Sequence, residues 1–207
     1  MNILSKILTL ILLFTFLPTV SNFLSHNHHG FVLEAAEPQK SKRELKREAR
    51  QNRGKIPILS TYDRDEIAWS LGYGTSTITG SGFLRRVNGE LVLCAGNQVD
   101  FRPVGTYSTE RITKLYGNAY KGHNDRYTNR RITDADFQYQ QDKKSTYCGV
   151  DGKFTIQNIP AGEYFVITKV VWQVGTSFTD TLFPEGGWIM TRVKVNEGQT
   201  VNVVLTY

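Results

Sequence analysis

Gly149-Val-Asp-Gly-Lys-Phe-Thr-Ile-Gln-Asn-Ile-Pro-Ala-Gly-Glu-Tyr-Phe-Val-Ile-Thr-Lys-Val-Val-Trp172 is the stretch that decides the fold. Val-Asp-Gly at 150–152 and Pro-Ala-Gly at 160–162 are turn signals on either side of a short segment in which Phe154 and Ile156 alternate with polar residues. Two turns so close together commit the chain to antiparallel β structure. The segment after the second turn is apolar on both faces. Tyr164, Val166, Val170 and Trp172 share one face, and Phe165, Ile167 and Val171 share the other. That pattern suits a central strand covered on both sides.

The same grammar continues outward. Residues 175–186 read as a loop carrying Phe178 and Phe183, and residues 187–195 as a strand. Asn196-Glu-Gly198 is a turn, and residues 200–206 form a last strand with Val201, Val203 and Leu205 inward. Upstream, residues 75–86 are rich in β-branched residues and glycine, and Val87-Asn-Gly89 is a hairpin signal leading into residues 90–93. Cys94-Ala-Gly-Asn97 breaks the strand. Residues 98–104 then set Val99 and Phe101 against Asp100 and Arg102, with Pro103 suited to a strand end or an edge. Short strands at turn-punctuated intervals indicate a sandwich.

Residues 106–147 differ. They hold six of the ten tyrosines, Tyr107, Tyr116, Tyr120, Tyr127, Tyr139 and Tyr147, among many Lys and Arg and few aliphatic residues. The segment reads as a long insertion between two strands, with residues 108–115 able to form a helical turn and residues 132–139 irregular or helical. Long loops are often functional. Tyrosine offers a flat apolar face with a polar tip, and arginine adds forked donors. Tyr116, Tyr120, Arg126, Tyr127, Arg130 and Arg131 are therefore the candidate ligand-binding residues. The competing reading has these tyrosines packing across the sandwich in place of aliphatic core.

The 207-residue chain opens with Lys6 and a mostly apolar run ending at Leu17. This is the pattern of a secretory signal, shorter than the roughly twenty residues of a membrane span. Thr19-Val-Ser21 suits cleavage after Ser21, which assigns residues 1–21 to a signal peptide; an anchor running on to Leu24 is the alternative. Residues 22–73 read as a basic arm, flexible or partly helical. Lys40, Lys42, Arg43, Lys46, Arg47, Arg50, Arg53 and Lys55 face only Glu44 and Glu48, which accounts for the whole net charge of +6. The basic character thus belongs to an arm and not to a domain surface, and no nucleic-acid partner is expected. Ser41 with Glu44 forms a capping box for a helix whose only apolar side chains are Leu45 and Ala49, so its burial is slight. The arm suits weak contact with an anionic membrane, and a solvated linker is the simpler reading. Residues 62–72 are a second short helical candidate.

In an exported chain the two cysteines, Cys94 and Cys148, are expected to form a disulfide. Two buried thiols are the alternative, and neither has the neighbours of a zinc site.

Asp151-Gly-Lys-Phe-Thr-Ile, then Ile159-Pro-Ala-Gly-Glu-Tyr-Phe-Val, then Val193-Lys-Val-Asn-Glu-Gly-Gln-Thr-Val-Asn-Val-Val-Leu205 resembles the carboxypeptidase regulatory-like domain. The resemblance spans about residues 74–207, interrupted by the insertion. It implies an all-β, antiparallel, seven-stranded transthyretin-like (prealbumin-like) sandwich, with Gly152 and Gly162 at positive φ and Asp151 bonding its turn. It implies little about function, because such domains accompany many activities.

Catalytic signatures are scarce. None of His26, His28, His29 and His123 begins the His-x-x-Glu pair of metallocarboxypeptidases. The Tyr-Arg-Gly-Ser ending of the transthyretin-like hydroxyisourate hydrolases is replaced by Val204-Leu-Thr-Tyr207. No nucleophile elbow, phosphate loop or Cys-x-x-Cys is present. His26, His28 and His29 suit at most an adventitious metal site, and Asp134 with Asp136 lacks the dense pattern of a calcium loop. The expectation is a non-catalytic exported module, without metal or cofactor, that has a binding or structural role in the envelope or outside the cell. A carbohydrate- or peptide-binding accessory domain acting through the insertion comes second, and a hydrolase with an unrecognised site third.

Overall fold

A computed structural model describes residues 40–51, 55–126, 130–132, 136–176 and 179–207. The signal-peptide segment and the His26, His28 and His29 cluster lie outside the described residues. The chain divides into two units, Met1–Lys40 and Ser41–Tyr207, and every element below belongs to the second. Among the described residues no helix is long and apolar enough to cross a membrane.

Helix α1 spans Lys42–Gln51. Its capping box forms as the sequence indicates: the Ser41 N–H donates to Glu44 Oε2 at 2.7 Å and the Glu44 N–H to Ser41 Oγ at 3.3 Å. A two-residue strand β1 (Lys55–Ile56) follows, then turns and a 3-10 segment at Ala68–Ser70 where the sequence suggested a short helix.

The sandwich begins with β2 (Ser76–Arg85), β3 (Leu91–Leu93) and β4 (Gln98–Pro103). The insertion supplies α2 (Thr106–Tyr116), β5 (Lys121–Asp125), β6 (Arg131–Ile132), α3 (Phe137–Gln141) and β7 (Lys144–Tyr147). The chain closes with β8 (Lys153–Ile159), β9 (Gly162–Thr176), β10 (Thr179–Val195) and β11 (Thr200–Leu205). One sheet has the order β5-β10-β9-β4-β7; in the other, β2 pairs with β11, β3 and β8. Pairing is antiparallel except for β2 with β11 and the short β1–β6 bridge.

The interior obeys the alternation read from the sequence. Phe154, Val166 and Val203 belong to one buried cluster with Ile78, Val99, Phe101, Tyr164, Val170, Ile189 and Leu205. The two predicted turn glycines adopt positive φ, 73° at Gly152 and 153° at Gly162. At Gly162 a Cβ would also stand 2.1 Å from the Trp69 ring, so glycine is required there twice over. Asp151 Oδ1 accepts from the Lys153 N–H at 3.1 Å, closing the turn before β8.

Two expectations need correction. Residues 175–176 and 179–186 are strand and not loop: β9 runs to Thr176 and β10 begins at Thr179, with Leu182 opposite Gly175 and Phe183 opposite Val174, while residues 177–178 lie outside the described residues. Cross-strand pairing with β9 carries this part of β10 as strand although Gly186 and Pro184 interrupt its sequence. The insertion is not a free loop either. Its β5 pairs with β10 and its β7 with β4, so it furnishes both edges of the five-stranded sheet.

Cys94 and Cys148 are joined, with Cα atoms 5.8 Å apart. Cys94 follows β3 in one sheet and Cys148 follows β7 in the other, so the bridge ties the sheets together at the C-terminal end of the insertion. Gly82 of β2 sits directly against it: a Cβ there would meet Cys94 Sγ at 2.9 Å.

Residues 57–72, which the sequence reading assigned to the arm, lie against the insertion. Glu66 accepts from the Thr106 N–H and hydroxyl at 2.9 and 2.8 Å. It thereby caps α2 where Gly105, at the N-cap, has no side chain to do so. Glu110 accepts from the Leu59 and Ser60 N–H groups and the Ser60 hydroxyl and pairs with Lys114 at 2.5 Å. Trp69 packs edge-on to Tyr164.

Removing the disulfide in the Cys94→Ala/Cys148→Ala double variant should lower the unfolding free energy by roughly 4 kcal/mol, read as a reduced urea midpoint; an unchanged midpoint would contradict the role assigned to it. The Lys114 ammonium, helped by the Ser60 hydroxyl and the two N–H groups, holds the Glu110 carboxyl down to about 2. A depressed folded pKa stabilises above the unfolded value and is lost as pH falls through the folded one. Glu110→Gln should therefore be less stable than the wild type at neutral pH. The gap in melting temperature should close as pH falls from the ordinary carboxylate range towards 2, and a gap independent of pH would contradict this.

Candidate functional site

The pleat of the five-stranded sheet sorts its outward side chains into cross-strand rows. Gly122, Met190, Ile167, Asp100 and Ser145 form one row. On one side of it stand Arg192, Phe165 and Arg102. On the other stand Asn124, Trp188 and Lys169. Helix α2 packs on the first two rows, where Ile112 closes a small second core with Phe165, Ile167 and Met190. The third row stays open, and Trp188 in its middle is 44% exposed.

Trp188 stands between two clefts. One, of about 350 Å³, lies between it and α2 and is lined by Ile112, Leu115 and Tyr116 together with Asp100, Arg102 and Lys143. The other, of about 360 Å³, lies towards the end of β5 and is lined by Asp125, Arg126, Arg130, Lys169 and Val171. Asn124 and Trp188 line both. Volumes of this order are those of small-ligand sites.

The wall of the first cleft is fixed. Arg102 is only 6% exposed, and its guanidinium carbon sits over the Tyr139 ring, 4.2 Å from the ring centre. It donates to the Tyr139 carbonyl at 2.6 Å and to Gln140 Oε1 at 3.0 Å. Lys143 binds Asp100 Oδ2 at 2.7 Å. The Arg111 guanidinium lies 4.9 Å from the Tyr139 ring centre, and Tyr62, Tyr107 and Tyr139 meet edge to face. Guanidinium–aromatic stacking thus fills space that aliphatic residues fill in the sandwich interior. Burial pushes the hydroxyls of Tyr116 and Tyr139 above the ordinary tyrosine value, so both stay neutral hydrogen-bonding groups.

The candidate residues from the sequence divide accordingly. Tyr116 is half-buried at the end of α2 and lines the first cleft. Arg126 and Arg130 are exposed and line the second. Tyr120 is 71% exposed, and the Arg192 guanidinium, not either cleft, is its neighbour at 5.8 Å. Tyr127 and the Arg131 side chain lie outside the described residues. Of the insertion's tyrosines, Tyr107 and Tyr139 are core, while Tyr120 and Tyr147 face solvent. Asp136 caps α3 through the Gln138 and Tyr139 N–H groups, and Asp134 is outside the described residues. Among the described residues no group of three or more His, Cys, Asp or Glu is gathered as a metal site.

Trp188, Lys169 and Asn124 were not singled out from the sequence. The signal was nonetheless available. If Ile189 and Val193 point inward, Trp188 must point outward, and Lys169 interrupts an otherwise apolar central strand on the same face as Phe165 and Ile167.

No family model matches the sequence, and no curated protein matches it. Among solved structures, a protein of Pseudomonas aeruginosa described as a "putative carbohydrate binding protein" aligns with a TM-score of 0.62 and 20% identity, over 72% of this chain and 99% of that one. A minor pilin of Streptococcus agalactiae aligns at a TM-score of 0.30 with 13% identity, over 65% of this chain and 44% of that one, a likeness too low to build on. The first likeness is one of fold, and that shared fold is a β-sandwich.

Proposed function

We propose that the protein is a non-catalytic, exported binding module, a transthyretin-like sandwich of the carboxypeptidase regulatory-like kind, whose ligand is a carbohydrate seated on the Trp188 row. The observation that carries this reading is the exposed indole of Trp188 between Asn124 and Lys169 on a hydrogen-bonded sheet, with a cleft on each side. A sugar ring presents an apolar face that can lie on an indole, while its rim of hydroxyls needs donors and acceptors such as Asn124, Asp125 and the neutral Tyr116 hydroxyl. The rows beneath are locked by α2 and by strand pairing, so little ordering cost falls on binding. The carbohydrate description of the Pseudomonas structure agrees with this reading, as do the strand and turn motifs with the family. Export rests on the N-terminal apolar run and on the disulfide, a bond of oxidising compartments.

The test is titration calorimetry against a panel of cell-envelope oligosaccharides. Trp188→Ala should weaken the bound saccharide about thirtyfold, equivalent to about 2 kcal/mol, with an unchanged melting temperature, and Trp188→Phe should retain part of the affinity. Equal binding by Trp188→Ala and the wild type, or no binding to any saccharide, would overturn the reading.

A further inference from the structure

The two clefts beside Trp188 differ in how their charges are used. In the first, Lys143 is held by Asp100, and Arg102 is spent on the Tyr139 carbonyl, Gln140 and the Tyr139 ring. In the second, Lys169, Arg126 and Arg130 share the lining with one carboxylate, Asp125. No ion pair engages those three cations among the described residues. Lys169 stands directly across from Trp188 in the strand register, so its ammonium borders the surface on which a ring would lie.

We infer that the ligand is an acidic saccharide: its ring lies on Trp188 and its carboxylate points into the second cleft, towards Lys169, Arg126 and Arg130. This rests on the carbohydrate reading above and adds the charge of the ligand to it. Three like charges lining one cleft repel each other when it is empty, and an anion entering it removes that repulsion while gaining charge-assisted hydrogen bonds. A neutral sugar would gain neither. The walls of the cleft lower the dielectric below that of open solvent, so the attraction is screened less than for fully exposed charges. Val171 gives the floor an apolar patch to receive the carbon face of the next ring.

The experiment uses the full chain and two probes of one backbone, an oligogalacturonate and the same oligomer fully methyl-esterified, so that only the charge differs. Binding is read by calorimetry at two salt concentrations. The acid should bind about tenfold or more tightly than the ester, and this preference should shrink at high salt. Lys169→Gln/Arg126→Gln should lose the preference, binding acid and ester alike, with its melting temperature as in the wild type. Because the arm is itself basic, Lys46→Gln/Arg47→Gln serves as the control and should keep the preference. Equal binding of acid and ester overturns this inference and leaves the carbohydrate reading standing. A preference that disappears with the arm variant and survives the cleft variant also overturns it. Binding of neither probe, together with silence across the oligosaccharide panel, overturns both.

Discussion

The stretch Tyr164–Ile167 of β9 has to be dry on both faces, and most of the architecture answers that requirement. The strand's inner face places Tyr164, Val166 and Val170 in the sandwich interior. Its outer face carries Phe165 and Ile167, which would be left in water by a bare two-layer sandwich. Helix α2 supplies the missing cover through Ile112, and Met190 of β10 completes the second core. A single strand is thus shared by two apolar layers. The hydrophobic gain from burying such side chains, about 1.5–3 kcal/mol each, is available only if the insertion stays in place.

Keeping it in place is the work of polar contacts at its ends. The disulfide fixes the C-terminal end of the insertion, at Cys148, to Cys94 at the end of β3. Glu66 completes the N-terminus of α2, and Glu110 gathers the segment at Leu59 and Ser60 against the same helix. Arg102 and Arg111 stack with the tyrosines so that charged side chains serve as packing material. Because α2 covers only part of the outer face, the row Asn124–Trp188–Lys169 is left as a rigid shelf. The candidate site follows from that incomplete coverage: its floor is stabilised by cores on both sides of the sheet and its upper surface is open to ligand.

The parts of this arrangement that were legible in the sequence are those governed by alternation and by turn chemistry. The two-faced apolar run of β9, the inward Phe154 and Val203, and the glycine turns at 152 and 162 follow from side-chain period and backbone sterics alone. The insertion was opaque because its structure comes from partners far away in the chain. Lys-Gly-His-Asn-Asp at 121–125 has no strand pattern of its own and becomes β5 by pairing with β10. Tyr107 and Tyr139 look like surface residues until the arginines that cover them are placed. Of the residues that line the two clefts, Arg126, Arg130 and Tyr116 were singled out because aromatic and cationic residues crowd the insertion. Trp188 and Lys169 lie in the sandwich strands, where the reading sought core and did not ask what the opposite face would show.

Native-state hydrogen exchange tests most directly whether the insertion is an integral layer of the fold. If α2 and β9 share one core, the amides of Arg111 to Leu115 should exchange only through openings about as costly as those that expose Val166 and Ile167. Rapid exchange throughout α2 while β9 remains fully protected would mean that the helix is a loose cover, and neither the second core nor the fixed shelf beside it would stand.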